Sequence, residues 1–126
     1  MNGEIKKYRE IVNLLFNQTK SGSIGWYKDE WINEIAAKFG NHVISITPGD
    51  TAEGAPLIVI KIYKDHEYVD GFSDETLSEY STDIDEYPTY WLLMNYIHQA
   101  ARRHAVGADK ALDDILSALK ANDIPF

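Results

Sequence analysis

The chain predicts an α+β fold. It reads as an antiparallel sheet of four to five strands, with an N-terminal helix and two C-terminal helices packed on one face (α-β-β-β-β-β-α-α). Three observations predict it. Apolar residues recur at three- and four-residue spacing at both ends of the 126-residue chain. Dense β-branched runs fill its middle, and Gly, Pro, Asn and Asp punctuate those runs at short intervals. Strands clustered between helices, instead of alternating with them, separate α+β from α/β folds.

Ile5, Tyr8, Ile11, Val12, Leu15, Phe16 and Thr19 mark one face of a first helix over residues 3–20, and Gly22 supplies its stop. Residues 23–29 form a short candidate strand. Residues 30–39 fit two patterns. Trp31, Ile35 and Phe39 suit a helix, whereas Trp31, Ile35, Ala37 and Phe39 share one face of a strand. Propensity leans towards helix. The strand is preferred, because residues 43–47 are plainly extended and need a neighbour across the Gly40-Asn41 turn. Residues 48–56, with Pro48, Gly49, Gly54 and Pro56, predict an exposed loop. The run Leu57-Ile-Val-Ile-Lys-Ile-Tyr63 predicts a central strand. Residues 64–67 turn the chain, and 68–72 return antiparallel.

An acidic loop follows over residues 73–87. Pro88 predicts the start of the next helix, running to about His104, with Leu93, Met94, Ile97, Ala100 and Ala101 inward. Gly107 ends it, and Asp109 is expected to cap a last helix with an apolar stripe of Leu112, Ile115, Leu116 and Leu119. Length and composition describe a single domain over 1–126.

Two segments resemble a pattern found in small uncharacterised bacterial proteins. Thr19-x-x-Gly22-x-Ile24-x-Trp26 is similar to their first-helix exit. Ala101-Arg102-Arg103, followed by Gly107-x-Asp109-x-Ala111-Leu112-Asp113-x-Ile115-Leu116-x-x-Leu119, is similar to their C-terminal helix pair. The resemblance implies hairpins after the tryptophan and carries no transferable function. The chain departs from the pattern in its acidic loop and in His98, where tyrosine is common.

Composition narrows the function classes. There is no cysteine, which excludes disulfides, thiolate metal sites and a cysteine nucleophile. The net charge of −8 argues against direct nucleic-acid binding, which needs a basic face. No segment has the apolar length of a membrane span or the pattern of a secretory signal, so a cytoplasmic location and no membrane partner are expected. No Gly-x-Ser-x-Gly elbow, phosphate-binding glycine loop or calcium-loop spacing occurs, so no catalytic residue, cofactor or metal is assigned and the reading leans away from an enzyme. His98 and His104 lie six residues apart, off a shared helical face.

Candidate binding residues come from charge and aromatic content. No lysine or arginine falls between Asp65 and Ala101, while Asp83, Asp85 and Glu86 close the acidic loop. That loop reads either as a solvated segment or as a docking surface for a basic partner. Trp26, Trp31 and Tyr63 are candidates for an aromatic patch on the open sheet face, with ordinary core as the alternative. Arg102 and Arg103 read either as a tie to a carboxylate such as Asp109 or Asp113, or as an anion site. Together these predict a noncatalytic protein-interaction or regulatory module, with self-association as a homodimer the first partner to consider. The alternative is a small anionic-ligand or nucleotide-binding domain.

Overall fold

A computed structural model describes residues 3–122 and shows α1 (Gly3–Lys20), five strands, a short 3₁₀ turn and two C-terminal helices. The strands are β1 (Tyr27–Asp29), β2 (Glu34–Phe39), β3 (His42–Asp50), β4 (Pro56–Lys64) and β5 (Glu67–Ser73). They form one antiparallel meander in the order β1-β2-β3-β4-β5. The helices are α2 (Tyr90–Ala105) and α3 (Ala108–Asn122). The α+β layout is therefore as the sequence predicts.

The core lies between one sheet face and the helices α1 and α2. Val12, Leu15 and Phe16 of α1 meet Leu93, Met94, Ile97 and Ala101 of α2 over Ala37, Ile46, Ile58, Ile60 and Phe72. These strand residues alternate and point to the face that α1 and α2 cover; among the described residues no helix packs on the opposite face. Tyr8 stacks on Phe72 at 4.2 Å between ring centroids, and its hydroxyl donates to Asp70 Oδ2 at 3.0 Å. α1 ends as the sequence anticipates. Gly22 takes a positive φ of 77°, and Ser23 N–H reaches back to the Gln18 carbonyl at 2.8 Å.

Several boundaries differ from the expectation, each for a local reason. Residues 30–33 form a turn, so Trp31 does not share the β2 face with Ile35 and Ala37. Asp29 causes the turn: its Oδ1 accepts from the backbone N–H groups of Trp31 and Ile32 at 2.8 and 3.2 Å. The predicted loop at 48–56 shrinks to five residues, because Pro48, Gly49 and Asp50 pair with Ile58, Leu57 and Pro56. Pro48 is tolerated there because its absent N–H faces the side on which β2 has already ended; the β2–β3 register stops at Ile35↔Ile46.

Helix α2 starts two residues after Pro88. Thr89 is its N-cap, with Oγ1 accepting from Leu92 N–H at 3.2 Å. Pro88 instead helps close the acidic segment, its carbonyl accepting from Thr82 N–H at 3.1 Å. Asp109 is not a cap either. It lies inside the first turn of α3 and pairs with Arg103 at 2.9 Å. Finally, α3 contacts α2 but buries none of its own residues, so it does not cover the sheet as α1 and α2 do.

Candidate interaction surfaces

The helix-free face of the sheet carries a polar cluster centred on Glu34, the first residue of β2. Its Oε1 accepts from the Ser45 hydroxyl at 2.9 Å, and its Oε2 pairs with Lys61 Nζ at 2.9 Å. Strand register brings the three together. Ala36, Ser45, Lys61 and Gly71 align across β2 to β5, and Glu34 lies two residues along from Ala36 on the same side. Hydrogen bonding to Glu34 raises the Lys61 pKa above the ordinary lysine range, against the opposing pull of burial. Burial, then the Glu34 charge, pushes the Tyr63 hydroxyl up as well. Ser45 is fully buried. A serine so enclosed, facing a carboxylate and an ammonium that already hold each other, is a structural tie across the sheet and not an exposed nucleophile.

Trp31 stands at the rim of this face, 72% exposed, with its ring 4.7 Å from the His66 ring. A shallow cleft of about 220 Å³ lies beside it, lined by Asp29, Ile32, Lys38, Val43, Tyr63 and His66. Two consecutive left-handed residues, Asp65 (φ 51°) and His66 (φ 72°), form the β4–β5 hairpin turn that lifts His66 to this position. Asp29 is fixed on the other side. Burial opposes its ionised form, but bonds from Ile32 N–H, the Tyr27 hydroxyl and Trp31 N–H outweigh it and hold the carboxyl below the usual range. Trp31 and Tyr63 therefore share this side of the molecule. Trp26 does not join them: it is buried in the core, its indole N–H donating to Thr19 Oγ1 at 3.0 Å. Trp26 therefore belongs to the core and not to an open-face patch: it precedes the strand, which begins at Tyr27.

The two arginines part company. Arg103 is tied to Asp109 across the α2–α3 joint, the carboxylate link anticipated from sequence. Arg102 lines a cleft of about 390 Å³ with Lys28, His98, Glu34 and Thr47. Burial, then the Arg102 charge, holds His98 below the usual histidine pKa. Arg103 and Trp26 line one cleft of about 500 Å³, but Trp26 is buried there and Tyr63 is not part of it, so the proposed set of arginines, Trp26 and Tyr63 does not form a single stacking site.

The acidic segment is tethered throughout. Leu77 is buried, and Tyr80, Ile84 and Tyr87 pack on the core. Thr82 Oγ1 donates towards the carbonyls of Ile84 and Tyr87 and accepts from Ile84 N–H. The Arg9 guanidinium lies 4.7 Å from the Tyr80 ring centroid. Asp83, Asp85 and Glu86 are held outward on this base, Glu86 at 3.8 Å from Lys20. Among the described residues, no group of three or more His, Asp or Glu side chains is placed to hold a metal ion, and no helix is long and apolar enough to cross a membrane.

The remaining surface is α3. Leu112, Ile115, Leu116 and Leu119 are 53, 57, 51 and 59% exposed. Four aliphatic side chains on one face of one helix are a contiguous apolar strip in water; a separate apolar cleft of about 240 Å³ lies where Ile11 and Leu14 of α1 meet Phe39 and Ile44. The sheet edges offer much less. β1 has three residues, while β5 exposes Tyr68 and Val69 but sets Glu67 and Asp70 beside them and is bulged against β4 at Ile62/Tyr63. Short, charged and bulged edges resist strand addition.

Comparison with protein-family models, curated proteins and solved structures finds no match.

Proposed function

We propose that this protein is a noncatalytic interaction module that engages a protein partner through α3. The single observation that carries the reading is the uncovered stripe of Leu112, Ile115, Leu116 and Leu119 on a helix that buries none of its residues. Burying such side chains is worth roughly 1.5–3 kcal/mol each. A partner is thus needed to recover what α1 and α2 recover within the fold. The aromatic rim at Trp31 and the acidic base at Asp83, Asp85 and Glu86 are further contact surfaces, since exposed tryptophan anchors interfaces and fixed charge steers encounter. A cytoplasmic setting accords with this role, as does a chain without cysteine.

The test compares immobilised wild-type chain with Ile115→Asp and Leu116→Asp, each exposed to an extract of the native host. The expected outcome is capture of at least one protein, a second copy included, by wild type alone. Equal capture by all three baits, or none by any, refutes the reading.

One observation favours a second reading, binding of a small anionic ligand or nucleotide: Lys28, His98 and Arg102 line a single cleft. A thermal-shift series with phosphate and nucleotides decides it. A stabilisation lost in Arg102→Ala supports it, and no shift with any anion removes it.

A further inference from the structure

We infer that the partner of α3 is a second copy of this chain, docked with the two α3 helices antiparallel. This rests on the interaction reading above and names its occupant.

The stripe has the symmetry that such a pair requires. A two-fold interface is self-complementary, so each residue must face a suitable residue of the partner copy. Placed antiparallel about a two-fold between Ile115 and Leu116, Leu112 faces Leu119 of the other copy, and Ile115 faces Leu116. Apolar side chain meets apolar side chain of similar volume at every level.

The flanks decide the direction. At about 100° per residue, Asp109, Lys120 and Asp113 fall together about 60–100° to one side of Leu112. Ala111 and Ala118 fall about 100–120° to the other side. A two-fold perpendicular to the helix pair brings like flank to like flank. The alanine flanks then meet and let the helices approach closely. On the charged flank, Lys120 of one copy comes level with Ala111 of the other, about 3 Å along the axis from Asp113. Asp113 and Lys120 appear in no salt bridge among the described residues. Two equivalent Lys120–Asp113 pairs therefore form across the interface. A parallel pair brings the charged flank against the alanine flank and forms neither.

Antiparallel packing also sets the helix dipoles head to tail. The sheet edges are weaker routes of self-association: β1 has three residues, and the β5 edge, although it exposes Tyr68 and Val69, carries Glu67 and Asp70 and is bulged. One 15-residue helix from each copy is a small interface, so the dimer is expected at micromolar concentrations and above.

The experiment is sedimentation equilibrium of the full chain from about 1 to 200 μM, covering that affinity range, with thermal melts to show that each variant folds. Wild type is expected to dimerise and Leu116→Asp to be monomeric with an unchanged melt, since the substitution is at an exposed position. Lys120→Glu or Asp113→Lys alone replaces two attractive pairs by two repulsive ones, and each is expected to weaken the dimer about tenfold in low salt. Together, Asp113→Lys and Lys120→Glu restore the pairs with reversed sign, and association returns to within about twofold of wild type.

A wild-type chain that stays monomeric over this range overturns the proposal. So does a dimer indifferent to Leu116→Asp, or one in which the double charge reversal gives no rescue. A monomer that still captures a different protein through the stripe overturns self-pairing and leaves the interaction module standing. A monomer that captures nothing removes both.

Discussion

Helices α2 and α3 follow one another with two residues between them, carry apolar residues at the same spacing, and end up in opposite environments. α2 buries Tyr90, Leu93, Met94, Ile97 and Ala101, while α3 buries nothing. Amphipathic periodicity says that a helix has an apolar face; it does not say what covers it. The joint decides. Gly107 takes a left-handed φ of 67°, and its N–H closes on the His104 carbonyl at 3.1 Å. The chain leaves α2 in that direction, away from a sheet whose helix-bearing face α1 and α2 already occupy. Arg103 and Asp109 then brace the corner from outside. The contrast teaches that a small sheet saturates: once two helices fill one face, a third amphipathic helix is left for something else.

Truncating the same side chain in the two helices is the sharpest way to break this comparison. Leu93 is fully buried, and Leu93→Ala is expected to cost about 2–5 kcal/mol, from lost transfer energy and the cavity left behind. Leu116→Ala, measured by urea denaturation at a concentration too low for association, is expected to change stability by under about 0.5 kcal/mol. Comparable losses at the two positions mean that α3 is covered within the monomer, and the distinction between the helices fails.

Much of this was legible in the residues, and the rest depended on information that a linear pattern does not hold. The alternation of Ile58 and Ile60 and the spacing of Val12, Leu15 and Phe16 identify core-facing positions directly, because period and burial coincide there, while Ile62 at the end of the same alternation is only half-buried. The extended reading of residues 34–39 follows from the need of β3 for a neighbour. The turn at 30–33 was hidden, because it is a tertiary use of one carboxylate: Asp29 reads as an ordinary strand-end residue until its backbone bonds are seen. The Glu34–Ser45–Lys61 cluster was hidden for a related reason. Its members are 11 and 16 residues apart in sequence and meet only through the β2–β3–β4 register. Of the candidate residues, Trp31 and Tyr63 share a side of the molecule, Arg103 finds its predicted carboxylate, and Trp26 belongs to the core. The stripe on α3 was visible as a stripe. Its exposure was not, since that follows from how much room the sheet has left.

Gly107 offers a smaller test of the same contrast. Alanine at a left-handed position is strained, while a Cβ there meets nothing within 4 Å. Any effect of Gly107→Ala therefore comes from backbone conformation and not from a clash. A loss of about 1 kcal/mol is expected, read by urea denaturation at low protein concentration. If the turn alone directs α3, the variant also shifts its dimerisation, because the helix leaves α2 at an altered angle. A destabilised chain with unaltered association assigns the direction of α3 to the Arg103–Asp109 brace instead.

The smallest effect lies in how the two helices respond to pH. His98 on α2 sits in the cleft with Arg102 and is held below its ordinary pKa, first by burial and then by that charge. In the unfolded chain it protonates near pH 6.5, where the folded chain resists. Between the folded pKa and 6.5 the unfolded state binds more protons, so this contribution raises stability with pH and is lost as pH falls through the window. The wild-type melting temperature is expected to drop between pH 7.5 and pH 5.5, and His98→Gln to drop less. α3 carries no histidine and so makes no comparable contribution through an imidazole. An equal drop in wild type and His98→Gln places the sensitivity elsewhere in the fold.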